Sequence, residues 1–240
     1  MTHPQPIKAC VFDAYGTLFD VHAPAAALAA ELGDEGPAIS AQWRTKQLDY
    51  MWLRSLMGRY SDFAQVTADA LDYVLGAKGL SGSPARERLL DLYETLAPYP
   101  DAEPCLKALK EAGARTGILS NGSPVMLHSA VASAGFGGLI DYILSADSVR
   151  IYKPSPAVYN LAVVAFGVEP GQIAFVSANG WDCAGAAAFG FRVIHVNRFN
   201  EADERLGTAA EVHVANLAEA ASHLMAVLSR QPSPLQVLET

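Results

Sequence analysis

Four short apolar runs, each leading into polar residues, constrain this 240-residue chain more than any other feature. Ile7-Lys8-Ala9-Cys10-Val11-Phe12 stops at Asp13, followed by Gly16 and Thr17. The run at 116–119 stops at Ser120-Asn121-Gly122-Ser123, and that at 140–145 leads through a short loop to Tyr152-Lys153-Pro154. The run at 173–176 stops at Ser177-Ala178-Asn179-Gly180-Trp181-Asp182. Helical patterns at 101–112, 124–133, 156–166 and 181–189 alternate with these runs. A strand pattern at 192–196, a weak one at 212–214 and a last helix at 217–228 complete the series. Strands separated by helices require right-handed crossovers, which predicts an α/β fold with a doubly wound parallel sheet. In such a sheet every strand carboxyl end lies on one edge, where ligands bind. One acid at a strand end also reads as a helix cap. A carboxylate, a Ser-Asn pair, a lysine and a second carboxylate on successive strands read as one site.

Residues from about 23 to 96 carry no strand pattern. An alanine-rich helix is expected at 24–33 and a long one from about Ser40 to Gly58. In the latter, Trp43, Gln47, Tyr50, Met51, Arg54 and Met57 recur at helical steps. Ser61 or Asp62 caps a third helix running to about Gly76, and a fourth spans 84–96. An insertion immediately after the first strand lies over the strand ends and roofs the pocket. The expected division is a Rossmann-like core at 1–21 and 98–230, a helical cap at 22–97 and a flexible tail at 231–240.

The net charge of −8 argues against a nucleic-acid partner, which requires a basic footprint. No apolar run approaches the roughly 20 residues that cross a bilayer, and the first residues lack a signal-peptide pattern. Cys10, Cys105 and Cys183 are widely spaced, as expected of reduced thiols in a cytoplasmic protein. The six histidines, His3, His22, His128, His195, His213 and His223, show no metal-ligand spacing, so no metal site is expected.

The motifs Asp13-Ala14-Tyr15-Gly16-Thr17, Ser120-Asn121-Gly122, Tyr152-Lys153-Pro154 and Ser177-Ala178-Asn179-Gly180-Trp181-Asp182 resemble the four motifs of the haloacid dehalogenase superfamily. The segment around Arg44, WRTKQLDYMWLRSLMGRYSDF, is similar to the second segment of its L-2-haloacid dehalogenase family. Phosphatases of the superfamily carry a second Asp two residues after the nucleophile and a further Asp as metal ligand in the fourth motif. This chain has Tyr15 and Ala178 there. A halide leaves as a stable anion and needs no general acid, and a monocarboxylate substrate lacks the charge that Mg²⁺ neutralises in phosphoryl transfer. The resemblance therefore implies dehalogenation without metal or other cofactor. A magnesium-dependent phosphatase and a receiver-type phospho-acceptor module are the competing readings.

The resemblance implies that Asp13 attacks the halogen-bearing carbon of a short L-2-haloacid, forming an ester with inversion. Water then attacks the Asp13 carbonyl carbon, releasing a D-2-hydroxy acid. Asp182, with Lys153, positions or deprotonates that water. Thr17, Ser177 and Asn179 orient the two acids, and Tyr159 reaches the site with its hydroxyl. Ser120 and the backbone N–H groups near Ala14, Tyr15 and Asn121 hold the substrate carboxylate. Arg44 receives the halide, while Tyr15, Phe63 and Trp181 form apolar walls. Thr45, where the family often has Gln, is expected to alter the pocket. A homodimer is expected because it is common among proteins of this kind.

Overall fold

The computed structural model describes residues 5–229. Its centre is a six-stranded, wholly parallel sheet in the order β3-β2-β1-β4-β5-β6. The strands are β1 (Ala9–Phe12), β2 (Thr116–Ser120), β3 (Tyr142–Ser145), β4 (Ile173–Ser177), β5 (Arg192–Val196) and β6 (Val212–Val214). β1, β2 and β4 are buried along their whole lengths. That explains why they read as apolar runs rather than as alternating patterns. The chain proceeds outward from β1 through β2 to β3, then returns to β4 on the other side of β1. The strand order therefore reverses between β1 and β4, where doubly wound sheets open a crevice at their carboxyl edge.

Between β1 and β2 lie α1 (Ala23–Ala27), α2 (Ala29–Leu32), α3 (Gly36–Leu56), α4 (Phe63–Ala77), α5 (Ala85–Glu94) and α6 (Ala102–Glu111). The later crossovers supply α7 (Pro124–Ser133), α8 (Pro156–Phe166) and α9 (Gly180–Phe189), and α10 (Leu217–Ser229) ends the described chain. The segments entering and leaving the α1–α5 block run side by side. The Asp20 N–H donates to the Ala97 carbonyl at 3.0 Å and the Tyr99 N–H to the Leu18 carbonyl at 2.8 Å.

Two of the expected helices differ from their sequence patterns. The alanine-rich helix is broken at Leu28, whose backbone leaves the helical region while its side chain is buried. Alanine favours helix but contributes little apolar area, so packing of leucine outweighs its propensity. α3 starts at Gly36, earlier than Ser40, because Pro37 fits a first helical turn. Ser40 instead lies buried within the helix, with its hydroxyl 2.7 Å from His22 Nδ1. Asp62 does cap α4, its Oδ1 accepting from the Gln65 N–H at 2.8 Å.

The helical block is tied to the sheet edge by polar contacts. Tyr152 donates its N–H to Ser55 Oγ at 3.2 Å and its hydroxyl to the Ser61 carbonyl at 2.6 Å. Tyr60 donates to Asp147 Oδ1 at 2.8 Å. Among the described residues, no helix is long and apolar enough to cross a membrane. The tail at 231–240 lies outside the described residues.

Candidate active site

β1 delivers Asp13 to the crevice and β4 delivers Ser177, with Asp182 in the first turn of α9. Asp13 is 5% exposed, and Asp182 and Lys153 are 0% and 1% exposed. Lys153 Nζ bridges the two acids, 3.1 Å from Asp13 Oδ1 and 2.8 Å from Asp182 Oδ2. Burial alone pulls the Lys153 pKa down, but the paired carboxylates reverse this and hold it above the ordinary lysine value. Burial pushes the Asp182 carboxyl up to about 6, opposed by Lys153 and reinforced by the charge of Asp13.

Each acid is oriented by further donors. Asp13 Oδ2 accepts from the Thr17 hydroxyl at 3.0 Å and from Asn179 Nδ2 at 2.8 Å. Thr17 is itself fixed, its Oγ1 accepting from the Ala178 N–H at 2.8 Å. Asp182 Oδ1 accepts from the Tyr159 hydroxyl at 2.7 Å, and Ser177 Oγ lies 3.3 Å from Asp182 Oδ2. Burial, then the neighbouring Asp182 charge, raises the Tyr159 phenol pKa, so it remains a proton donor. Two glycines permit this closeness. Gly16 turns the chain at φ +91°, a region costly for other residues. A Cβ on Gly185 would stand 2.5 Å from the Tyr159 hydroxyl and 2.6 Å from Pro154 Cβ, so α9 can approach α8 only without one.

Arg44 descends from α3, donating to Asn179 Oδ1 at 3.1 Å and to the Tyr15 carbonyl at 3.4 Å. Its Nη1 donates to Gln47 Oε1 at 2.9 Å, and the Tyr93 hydroxyl donates to the same oxygen at 3.2 Å. Gln47 Nε2 in turn donates to Thr67 Oγ1 at 2.7 Å. Gln47, Tyr93 and Thr67 were not expected as site residues. The signal in the sequence was Gln47, a polar side chain inside the apolar stripe of α3, one turn beyond Arg44.

Tyr15 packs against Phe63 at 5.0 Å between ring centroids and stacks on Tyr93 at 5.7 Å. Trp181 meets Trp52 edge-on at 5.4 Å. Trp181 contributes to two cavities. One, of about 240 Å³, is also bordered by Gly16, Arg44, Leu48 and Asn179. The other, of about 460 Å³, is bordered by Trp52, Leu56, Tyr152 and Lys153.

On the opposite flank, Ser120 ends β2, its Oγ accepting from the Gly122 N–H at 3.1 Å. The β1–β2 register sets Phe12 beside Ile118, so Ser120 stands level with Ala14. Asn121 uses its side chain structurally: Oδ1 accepts from the Lys153 N–H at 2.9 Å and anchors the loop that carries the lysine. Two expectations are corrected. Thr45 does not shape the pocket; it is exposed and donates back to the Ala41 carbonyl of its own helix at 3.0 Å, while Leu48 lines the cavity. The histidines are not all scattered, because parallel pairing sets His195 of β5 opposite His213 of β6.

A haloacid dehalogenase-like hydrolase family model matches residues 7–190. The (S)-2-haloacid dehalogenase 1 of Pseudomonas sp. (strain CBS-3) is 46% identical over 83% of this chain and 88% of its own. The (S)-2-haloacid dehalogenase of Xanthobacter autotrophicus is 48% identical over 81% and 77%. A solved structure of L-2-haloacid dehalogenase from Xanthobacter autotrophicus, with chloropropionic acid covalently bound, superposes with a TM-score of 0.85. It is 40% identical over 90% of this chain and 97% of that one. A lysine-bridged pair of buried acids at the switch point of a parallel sheet thus coincides with likeness along most of the chain, and the protein belongs to the L-2-haloacid dehalogenase family of haloacid dehalogenase-like hydrolases.

Proposed function

We infer that the protein hydrolyses short L-2-haloacids to D-2-hydroxy acids through an ester on Asp13, without a metal. The observation that carries the assignment of roles is the unequal treatment of the two Asp13 oxygens. Oδ2 accepts from both Thr17 and Asn179, whereas among the described residues Oδ1 meets only Lys153 Nζ. Oδ1 retains a lone pair, and it is the attacking atom. Backside attack on the halogen-bearing carbon expels halide and inverts the centre. Arg44 supplies the positive charge for the halide, with Tyr15, Phe63 and Trp181 as apolar walls. Ser120 and backbone N–H groups at Ala14, Tyr15 and Asn121 take the substrate carboxylate. Tyr15 replaces the general acid of the phosphatases, and halide departure requires none.

Water next attacks the Asp13 carbonyl carbon, and Asp182 takes its proton. Thr17 and Asn179, which donate to Oδ2, offset the negative charge that develops on that carbonyl oxygen, while Lys153 stays charged beside Oδ1, the ester oxygen. Because its carboxyl is pushed up to about 6, Asp182 is protonated and inactive as a base at lower pH. In the ester the Asp13 charge is absent, which removes one cause of the raised value. Single-turnover ester hydrolysis should therefore rise with pH and level off, with its inflection at or below that value. Rapid-quench measurement of ester decay checks this, and a rate flat throughout the acidic range would assign the base to another group.

Residues 22–97 act as the cap over this site, and the described parts of the two core segments, 5–21 and 98–229, act as the core. Leu53, Leu56 and Met57, exposed near the end of α3, suit a homodimer contact, which light scattering of the purified protein tests. Three buried free thiols suit a reducing, cytoplasmic setting, which fractionation of the host cell tests. The net charge of −8 is unfavourable for a nucleic-acid partner. The functional test is halide release from L- and D-2-chloropropionate with and without EDTA. Release from the L isomer alone, unchanged by EDTA, is expected. Phosphate release from phosphomonoesters that EDTA abolishes would support the phosphatase reading instead.

A further inference from the structure

The β5–β6 pairing assembles a second cluster of chemically active side chains. His195 and His213 are register partners on the two strands, their rings edge-on with centroids 5.3 Å apart. Their Nδ1 atoms face each other at 3.4 Å, and Asp203 Oδ1 lies 3.6 Å from His213 Nδ1. One ligand atom from each residue falls within 4.8 Å of the others. In a tetrahedral zinc site with bonds of about 2.0–2.1 Å, neighbouring ligand atoms stand about 3.3–3.4 Å apart. The His195–His213 and His213–Asp203 separations, 3.4 and 3.6 Å, approach that spacing.

From this geometry we propose that His195, His213 and Asp203 bind a first-row divalent transition cation such as Zn²⁺, at a site separate from the dehalogenation centre. Imidazole nitrogen is a suitable ligand for Zn²⁺, Cu²⁺ or Ni²⁺, whereas Ca²⁺ and Mg²⁺ prefer oxygen. A cavity of about 60 Å³ adjoins the cluster, bordered by His195, Asp203, Glu204, Thr208 and His213 among others, and has room for a water as fourth ligand. Asp203, Glu201 and Glu204 make the approach favourable to a cation. A plain histidine–histidine hydrogen bond explains the 3.4 Å contact alone, but not the carboxylate and cavity beside it.

Equilibrium dialysis of the purified, chelator-stripped protein against Zn²⁺, with metal counted by mass spectrometry, tests the site. His213→Ala and Asp203→Ala serve as variants because both side chains are partly or largely exposed and their removal leaves the core intact. Circular dichroism verifies that each variant is folded. One Zn²⁺ per chain is expected, with affinity falling at least about tenfold in each variant, and a melting temperature that rises with Zn²⁺ only in the parent protein. Absence of stoichiometric binding, or binding unchanged in both folded variants, would overturn the proposal.

Discussion

Asp13→Asn is expected to abolish halide release, with turnover of L-2-chloropropionate falling at least about 10⁴-fold while the fold is retained. An amide is a far poorer nucleophile than a carboxylate, and the neighbouring donors cannot restore the lost electron pair. The substitution keeps the side chain's size in a position only 5% exposed, so loss of activity cannot be assigned to a cavity. Circular dichroism and chloride release measured on the same preparation check both halves. Activity within about tenfold of the parent would mean that water attacks the substrate directly and that Asp13 only positions it.

Lys153→Met should have the largest effect on stability, about 3–5 kcal/mol at neutral pH, together with loss of turnover. Methionine occupies much of the lysine stem's volume, so the change chiefly removes the ammonium. Asp182 is then left buried beside Asp13 with no cation between them. The pH dependence separates charge from packing. Lys153 lowers the Asp182 pKa, so its removal raises that pKa further above the unfolded value. The folded variant then takes up a proton that the unfolded chain releases, and it regains stability as pH falls. Urea denaturation at mildly alkaline and mildly acidic pH should show a deficit that shrinks on acidification. An equal deficit at both would assign it to packing, including the lost contact of Lys153 Nζ with the Phe175 ring at 4.9 Å.

The core was legible because β1, β2 and β4 are buried on both faces and interrupt helical periods with apolar runs. The reacting residues were legible for a related reason. A parallel sheet gathers its carboxyl ends on one edge, so Asp13, Ser120, Ser177 and Asp182 had to meet once the alternation was recognised. Lys153 required more, since it follows β3 only after a loop and reaches the acids through the Asn121 anchor. What stayed hidden depends on register and side-chain direction. Thr45 and Gln47 are two residues apart on α3, yet one is exposed and the other joins the Arg44 network. His195 and His213 become neighbours only through the pairing of β5 with a three-residue strand. Leu28 shows the remaining failure, where core packing breaks a run of good helix formers.

In the proposed reaction the oxygen bonded to the substrate carbon comes from Asp13, with water restoring the carboxylate afterwards. A single turnover in ¹⁸O-labelled water with enzyme in excess, followed by mass spectrometry of product and of the Asp13 peptide, measures this directly. An unlabelled D-2-hydroxy acid and one ¹⁸O atom in Asp13 are expected. Label in the product of that first turnover, with none in Asp13, would contradict it.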